Sequence, residues 1–285
     1  MYRGCVRIRG ASSMELSCCG VVPAREESAE RILGASLDLV VVIPAYNEEE
    51  CITDVVSDWL KTLESLVGDY RIMVLDDGST DGTRQALSAF SDDARVEVVS
   101  KANSGHGPTI LQGYRVAAGM ADWVFQCDGD NEMSSDSFGG LWQTRDGYDA
   151  LFGTRTNRRQ SLGRKMISVL SRLTVRLAYA RGVDDVNTPY RLMRSRFLAE
   201  VVSSIPDSTF APNLVISGTL AAGGVRIANV GVPHQNRCTG AVSIKKWRLW
   251  RSAALSLVQT VTLAPDMHVV ALGIKASLLT GACSR

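Results

Sequence analysis

Four short apolar runs in the first half of this 285-residue chain are each followed by a polar cluster, and this repeat constrains the fold most strongly. The runs DLVVVIPAY, YRIMVLDDGS, VEVVS and DWVFQCDGD are rich in β-branched residues and have the length of buried strands. The segments between them have helical spacing, as in residues 48–67, where apolar side chains recur every three or four positions. Alternating strands and helices predict an α/β fold with one mostly parallel sheet and helices on both faces.

The polar clusters fall at the carboxyl ends of the predicted strands. PAYNEEE follows the first strand, DDGSTDGT the second, NSGHGPT the third and DGDNE the fourth. Open parallel sheets bind ligands at this edge, at the point where the strand order reverses. The sequence therefore predicts one binding site that gathers all four clusters.

Asp128 and Asp130 flank Gly129 and would repel each other unless they shared a cation. Carboxylate oxygens suit Mg²⁺, which usually keeps waters and substrate phosphates as its other ligands. A metal shared with a diphosphate would relieve the repulsion, whereas an Asp-Gly turn at a strand end is the alternative explanation. The chain has no GxxxxGK[ST] loop and no GxGxxG after the first strand, which argues against a P-loop or a dinucleotide fingerprint.

The charge is unevenly distributed, although the formal net charge is only +1. Residues 145–196 contain twelve Lys/Arg against four Asp/Glu, and residues 235–251 contain five basic residues and no acid. An acidic site beside a basic half suggests a cation together with an anionic substrate, although solvated helix faces explain many single arginines. The near-neutral total argues against a general nucleic-acid-binding protein.

The two ends of the chain differ from its centre. Residues 1–36 are predicted to be an irregular leader, since they lack the continuous apolar region of a signal peptide. From Ile244 to Val261, apolar side chains including two tryptophans recur at helical intervals between basic residues. We expect residues 243–285 to form an amphipathic helical segment that lies on a membrane or on the protein itself and is too interrupted to span a bilayer. The seven cysteines form no CxxC pair, which predicts reduced thiols in a cytosolic protein.

The segments VVIPAYNEEE, VLDDGSTDGT, KANSGHGPTILQGYRVA and DWVFQCDGD, in this order and spacing, resemble the motifs of family 2 glycosyltransferases of the GT-A fold. Within that family the chain is similar to polyprenyl-phosphate sugar transferases of the dolichol-phosphate mannosyltransferase type. The resemblance runs from about Leu37 to Trp250 and implies a Rossmann-like glycosyltransferase domain over residues 37–242. The implied reaction is an inverting, metal-dependent transfer of a sugar from a nucleotide-diphosphate sugar to a polyprenyl phosphate.

The resemblance implies a donor site in the first half of the chain. Its nucleotide pocket would be formed by Pro44, Tyr46, Glu48, Asp76, Asp77 and Gly78. Asp128 and Asp130 match the DxD motif, which binds Mg²⁺ or Mn²⁺ and the donor diphosphate. Glu132 stands where relatives often carry Gln and is a further candidate metal ligand, and His106 is a candidate phosphate contact.

The second half resembles the lipid-phosphate branch of the family in its arginines. FGTR, GRKMISVLSRL and VGVPHQNRCTG match segments of that branch and place Arg155, Arg164 and Arg237 as ligands of the acceptor phosphate. DVNTPYRLMRS matches a further segment, with Asp185 and Arg191 in register. Arginine suits such a role because its planar guanidinium group binds phosphate through two parallel hydrogen bonds.

Other functions stay open. Hydroxyl-acceptor relatives often place an acidic base in the stretch that here reads STFAPNLVIS and carries Asn213, so a phosphate acceptor is favoured. The main alternative is a family 2 transferase that acts on a sugar hydroxyl in cell-wall or glycan assembly, followed by a nucleotidyltransferase and a non-catalytic lipid-phosphate module. The sugar, the nucleotide, the lipid length and the choice between Mg²⁺ and Mn²⁺ are not fixed. A polyprenyl acceptor implies a peripheral protein on the cytosolic face of a membrane.

Overall fold

The computed structural model describes residues 36–156, 162–179, 184–234 and 246–282, so the predicted leader lies outside the described residues except for Ser36. The strands are β1 (Leu37–Ala45), β2 (Tyr70–Asp76), β3 (Val96–Ser100), β4 (Ala121–Gln126), β5 (Ala150–Thr156), β6 (Arg191–Arg194) and β7 (Ile227–Pro233). The helices are α1 (Ile52–Glu64), α2 (Thr83–Leu87), α3 (His106–Ala117), α4 (Phe138–Thr144), α5 (Leu162–Tyr179), α6 (Ser195–Ser203), α7 (Pro212–Gly223) and α8 (Lys246–Ala282). Short 3₁₀ turns lie at Ser88–Phe90, Ser135–Ser137 and Arg145–Gly147.

The seven strands form one sheet in the order β3-β2-β1-β4-β6-β5-β7. Only β6 runs antiparallel to its neighbours, β4 and β5. The strand order reverses at β1, which pairs with β2 on one side and with β4 on the other. The prediction of a mostly parallel α/β sheet is therefore confirmed, and the ends of β1, β2 and β4 meet at the switch point where such sheets bind ligands.

Both faces of the sheet are covered by apolar side chains. Strand β1 contributes to both layers, since successive residues of a strand point to opposite faces. Val40 and Val42 pack in the layer that contains α3 and α7, whereas Val41 and Ile43 pack in the layer that contains α1. All of these side chains are fully buried, which fixes the register of β1 and with it the position of the residues that follow it.

The C-terminal helix α8 packs on α5 and α7 with one face. Its buried positions recur every three or four residues at Ser256, Thr260, Ala264, Met267, Ala271 and Ile274. Within the described ranges, α8 alone contains a stretch, Trp250–Thr280, that is long and apolar enough to cross a membrane by length and composition. The expectation that this segment is too interrupted to have the length and composition of a membrane-crossing helix was wrong. The helix continues through Pro265 and joins two apolar pieces.

Candidate functional site

The carboxyl ends of β1, β2 and β4 surround an open cleft of about 350 Å³. The lining residues are Pro44, Ala45, Tyr46, Glu48, Asp77, Asn103, Gly105, His106, Thr109, Asp128, Gly129 and Asp130. Four of the predicted nucleotide contacts thus share one cavity with the two aspartates of the predicted metal motif. Asp76 and Gly78 do not line the cleft.

The turn after β2 is built on Asp76, whose carboxylate is fully buried. It accepts a hydrogen bond from the backbone N–H of Ser79 at 2.9 Å and contacts the Arg84 guanidinium at 3.3 Å. Burial favours a higher pKa for Asp76, but these hydrogen bonds outweigh it and hold the pKa below its usual value. Gly78 has φ +70°, and a Cβ there would lie 2.8 Å from the backbone nitrogen of Asn103. This position therefore requires glycine.

Asp77 lines the cleft and also organises the loop after β3. Its carboxylate accepts hydrogen bonds from the backbone N–H groups of Ser104 and Gly105, each at 2.9 Å. It also pairs with Lys101, whose ammonium group donates to Thr109 at 3.1 Å. Burial favours a higher pKa for Asp77, but the bonds from Lys101 and Ser104 hold it below the ordinary value. Lys101 was missed in the sequence, because its partner lies 24 positions away.

The loop after β1 is held to the start of α2. Asn47 adopts a left-handed conformation with φ 56°, and its side-chain oxygen accepts a hydrogen bond from the backbone N–H of Thr80 at 2.8 Å. The backbone N–H of Glu48 donates to the hydroxyl of Thr83 at 2.8 Å. These bonds fix the loop that carries Tyr46, whose ring is half exposed at the mouth of the cleft.

Asp128 is oriented by a buried polar network beneath the cleft. The side-chain amide of Gln126 donates to Asp128 Oδ1 at 3.3 Å. Gln126 Oε1 in turn lies 2.7 Å from the Tyr114 hydroxyl and accepts a hydrogen bond from Asn213 at 3.0 Å. All three supporting side chains are buried, so the network holds Asp128 toward the cleft at the end of β4.

Two imidazoles flank the aspartate pair. His106, the first residue of α3, places Nε2 at 3.7 Å from Asp128 Oδ1. His234, directly after β7, places Nε2 at 3.1 Å from Glu132 Oε2. The backbone N–H of Glu132 donates to Asp130 Oδ1 at 3.1 Å, and Asn131 between them is left-handed with φ 55°. The contact of His234 with Glu132 was not foreseen, because it depends on the pairing of β5 with β7.

The donor set suits a hard divalent cation. Asp128 and Asp130 supply carboxylate oxygens, whereas the nearby Cys127 thiol has a pKa raised well above its usual value by burial and by the two aspartates. The described residues contain no group of three His, Cys, Asp or Glu side chains that could hold a metal on its own. The pair therefore fits a cation that takes its remaining ligands from a bound diphosphate and water.

The predicted acceptor arginines are only partly described. Arg155 at the end of β5 forms a bidentate pair with Asp185 at 2.9 and 3.1 Å. Arg164 lies on α5, but its side chain is outside the described part, as is the whole of Arg237. Arg191 is fully buried and donates to the backbone oxygen of Thr188 at 3.0 Å. Burial lowers the pKa of Arg191 from its usual value.

A second cavity of about 480 Å³ adjoins the first, and His106 lines both. It lies between the start of α3, α5, the start of α7 and the start of α8, and most of its lining surface is apolar. Its other lining residues are Gly107, Ile110, Ile167, Ser171, Asn187, Phe210, Ala211, Pro212, Asn213, Leu214, Ser252, Ala253 and Ser256. The two cavities therefore share His106, and the second has the more apolar lining.

Solved structures of low sequence identity share this fold. Glucosyl-3-phosphoglycerate synthase from Mycobacterium tuberculosis, in complex with Mn²⁺, UDP-glucose and phosphoglyceric acid, superposes with a TM-score of 0.59 at 19% identity and covers 80% of each chain. TarS residues 1–349 of S. aureus, in complex with UDP-GlcNAc, superposes with a TM-score of 0.53 at 17% identity and covers 85% of this chain and 73% of that one. Both comparisons support the GT-A-like architecture.

Curated relatives have higher sequence identity. The undecaprenyl-phosphate 4-deoxy-4-formamido-L-arabinose transferase of Proteus mirabilis is 28% identical over 201 residues, which is 69% of this chain and 60% of the relative. The protein of the same name from Yersinia pestis is 26% identical over 213 residues, 73% of this chain and 63% of the relative. The chain thus spans about three fifths of the length of these relatives. The family model for glycosyl transferase family 2 matches residues 40–202, more than half of the chain. The chain belongs to this family.

Proposed function

We propose that the protein is a glycosyltransferase that transfers a sugar from a nucleotide-diphosphate sugar to a polyprenyl phosphate at a membrane surface. The observation that carries the proposal is the junction of two cavities at His106, one acidic and polar and the other mostly apolar. A nucleotide diphosphate suits the first cavity, and the start of a lipid chain suits the second. The names of the relatives from Proteus and Yersinia, which act on undecaprenyl phosphate, support this acceptor class.

The donor would bind along the switch point of the sheet. Pro44, Tyr46, Glu48 and Asp77 would enclose the nucleoside, and Asp128 and Asp130 would face its diphosphate. A divalent cation held by the two aspartates, Mg²⁺ or Mn²⁺, would neutralise the charge that develops on the leaving diphosphate. Gln126 keeps Asp128 in place for this contact. Glu132, which His234 holds beside the pair, is a further candidate for the same cation.

The acceptor phosphate would enter from the side of the second cavity. An ionised phosphate is already a nucleophile, so it needs charge matching and orientation more than a general base. We assign this binding to Arg164 and Arg237, with Arg155 available through exchange of its Asp185 partner. A phosphate oxygen forms the bond to the anomeric carbon as the bond to the diphosphate breaks on the opposite face, so the configuration inverts.

The membrane contact would be made by α5 and α8 together. Both helices carry large apolar side chains that are exposed: Met166, Val169, Leu170, Leu173 and Leu177 on α5, and Trp250, Leu255, Val258, Val261, Val269, Leu272 and Leu279 on α8. Basic residues Lys165, Arg176 and Arg251 lie among them and are exposed as well. Apolar and basic side chains on one surface are typical of helices that lie in the interface of an anionic bilayer. We therefore place the protein peripherally on the cytosolic leaflet, with residues 37–242 as the catalytic domain and 243–285 as the membrane-contacting segment.

Labelled transfer assays test this proposal. A panel of UDP- and GDP-linked sugars is incubated with a short polyprenyl phosphate and, separately, with free oligosaccharides, with and without Mg²⁺ or Mn²⁺. We expect a lipid-soluble, mild-acid-labile product from one donor, and its loss in chelator and in Asp130→Asn. Every assay contains the same nonionic detergent at the same concentration. Asp122→Asn, which changes an exposed aspartate on β4, serves as the matched control. If a free oligosaccharide is labelled and no lipid product forms, the acceptor is a sugar hydroxyl and the proposed phosphate acceptor is wrong.

A further inference from the structure

The polar network beneath Asp128 includes side chains from two helices that do not carry the metal motif. Tyr114 belongs to α3 and Asn213 is the second residue of α7, and both contact Gln126, the last residue of β4. Asn213 lines the second cavity and does not line the first. In this network, Tyr114 and Asn213 therefore reach Asp128 through the side chain of Gln126.

The direction of each hydrogen bond in the network follows from what its groups can donate. A carboxylate only accepts, so the NH₂ group of Gln126 faces Asp128 Oδ1, which lies 3.3 Å away. The side-chain oxygen of Gln126 then faces the other way and accepts from Asn213 Nδ2 at 3.0 Å. The Tyr114 hydroxyl lies 2.7 Å from this oxygen and 3.1 Å from Asn213 Oδ1, so the shorter distance assigns its one proton to Gln126.

These two donors determine which end of the Gln126 amide faces Asp128. A reversed amide would place its NH₂ group against the donors of Asn213 and Tyr114, and its oxygen against the carboxylate of Asp128. Burial raises the pKa of Tyr114, so its hydroxyl keeps the proton that it donates. The orientation that offers Asp128 a donor is therefore the one that α3 and α7 support.

Burial makes the contribution of each donor hard to replace. Gln126 and Tyr114 are fully buried, and Asn213 is only 4% exposed. Solvent water therefore has little access to the amide oxygen of Gln126 if one of its two protein donors is removed. A buried network of this kind keeps its geometry only while each of its members has a partner.

Asn213 is itself fixed against the strands of the sheet. Its backbone oxygen accepts a hydrogen bond from Arg191 Nη1 at 3.4 Å, and the same nitrogen donates to Ser217 Oγ at 3.3 Å, about one turn further along α7. Arg191 is fully buried and pairs with Gln126 in the register of β6 and β4. The start of α7 is thus connected to the strand that ends at the metal motif, which preorganises the contact between Asn213 and Gln126.

We propose that Asn213 and Tyr114 are positioning residues of the cation site, which set the orientation of the Gln126 amide and through it that of Asp128. The inference rests on the proposed donor site, because it takes Asp128 as a ligand of the cation. Neither residue lines the nucleotide cavity, so their removal changes the affinity for the cation and takes away none of its ligands. Hydrogen-bond partners of metal ligands typically change metal affinity by about 10–100-fold when they are replaced.

Binding of Mn²⁺ to the full chain, measured by electron paramagnetic resonance with UDP and separately with GDP present, tests this role. Asn213→Leu removes the amide. Tyr114→Phe removes only the hydroxyl and keeps the ring, so it decides the test if Asn213→Leu does not fold. We expect at least about tenfold weaker Mn²⁺ binding in Asn213→Leu and a smaller loss in Tyr114→Phe.

Thr219→Val and Tyr179→Phe are the matched controls, because each removes a buried hydroxyl at a distance from the metal motif. Thr219 on α7 donates to the backbone oxygen of Val215 at 2.8 Å, and Tyr179 on α5 donates to that of Thr260 at 3.4 Å. Both controls should bind Mn²⁺ as the unmodified chain does, even where thermal unfolding shows a loss of stability. A change in cation affinity thus separates positioning from a general effect on the fold.

A double-mutant cycle tests the route of the effect. Gln126→Met removes the amide that connects Asn213 to Asp128, so Asn213→Leu should cause no further loss of Mn²⁺ affinity in that background. An equal further loss in the double variant would overturn the proposal. Mn²⁺ binding that UDP or GDP strengthens, and that is as tight in Asn213→Leu and Tyr114→Phe, would overturn the positioning role and leave the donor site standing. If neither nucleotide strengthens Mn²⁺ binding to the unmodified chain, the donor site and this inference are both wrong.

Discussion

At the scale of single residues, the fold depends on buried carboxylates that other groups hold in the charged form. Asp76, Asp77 and Asp149 each have a pKa below the ordinary value because hydrogen bonds outweigh burial. Unfolded aspartate titrates near pH 3.9, to within about a unit. These residues therefore stabilise the fold above about pH 4, and the contribution is lost as the pH falls through their lower, folded-state pKa values.

A pH series of urea unfolding tests this account of the aspartates. The free energy of unfolding should fall steeply below about pH 4, and Asp76→Asn and Asp149→Asn should both lower it at pH 7 and flatten that slope. Asp92→Asn, an exposed aspartate, is the control and should leave the slope as it is. An unchanged slope in both buried variants would contradict the assigned role.

Lys101 gives a second prediction at this scale. Lys101→Met removes the cation that pairs with Asp77 and donates to Thr109, so a buried carboxylate loses a charged partner. We expect a loss of about 2–3 kcal/mol in the free energy of unfolding and a higher KM for the sugar donor. Lys61→Met, which breaks an exposed pair with Asp58, should change stability by less than about 0.5 kcal/mol. Equal stability in the two variants would mean that Lys101 is not structural.

At the scale of elements, α5 packs closely against α7 at Gly218. A Cβ at Gly218 on α7 would lie 2.4 Å from the ring of Tyr179 at the end of α5. Tyr179 is fully buried, so the ring has little room to move away. The distance between these two helices therefore depends on the absence of a side chain at Gly218.

Two Gly→Ala variants test this packing. Gly218→Ala should lower the free energy of unfolding by about 1–3 kcal/mol through overpacking, measured by urea denaturation. Gly140→Ala in α4, where nothing lies within 4 Å of the new Cβ, should be neutral or stabilising by up to about 1 kcal/mol. A Gly218→Ala protein as stable as the Gly140→Ala protein would show that α5 is free to move away from α7.

Sequence and structure agree best where an element is defined by local pattern. The runs that end at Ala45, Asp76 and Gln126 form adjacent strands. They were predicted correctly because the apolar pattern of a buried strand can be recognised from neighbouring residues alone. The approach of His234 to Glu132 spans 102 positions and depends on the pairing of β5 with β7, which no local pattern specifies. The continuity of α8 through Pro265 was missed for a related reason, since packing on α5 and α7 compensates for the backbone hydrogen bond that proline lacks.

At the scale of the whole molecule, the exposed apolar faces of α5 and α8 set the expected orientation on a membrane. Val258→Glu with Val261→Glu changes two exposed side chains of α8 and leaves its buried face intact. We expect binding to anionic vesicles to weaken at least about tenfold, as measured by sedimentation, with unchanged thermal unfolding. Val98→Glu on the edge strand β3, at the far side of the sheet, is the control. Unchanged vesicle binding in the double variant would place the contact elsewhere.

The central claim is that Asp128 and Asp130 hold a divalent cation together with the donor diphosphate, and binding of Mn²⁺ measured by electron paramagnetic resonance tests it most directly. Because the described residues contain no group of three His, Cys, Asp or Glu side chains that could hold a metal on its own, Mn²⁺ should bind weakly alone and at least about tenfold more tightly with a nucleoside diphosphate present. Asp130→Asn should abolish that coupling, whereas Asp122→Asn should keep it. The account would be contradicted if the nucleoside diphosphate bound as tightly in chelator, and to Asp130→Asn, as it binds to the unmodified chain with Mn²⁺.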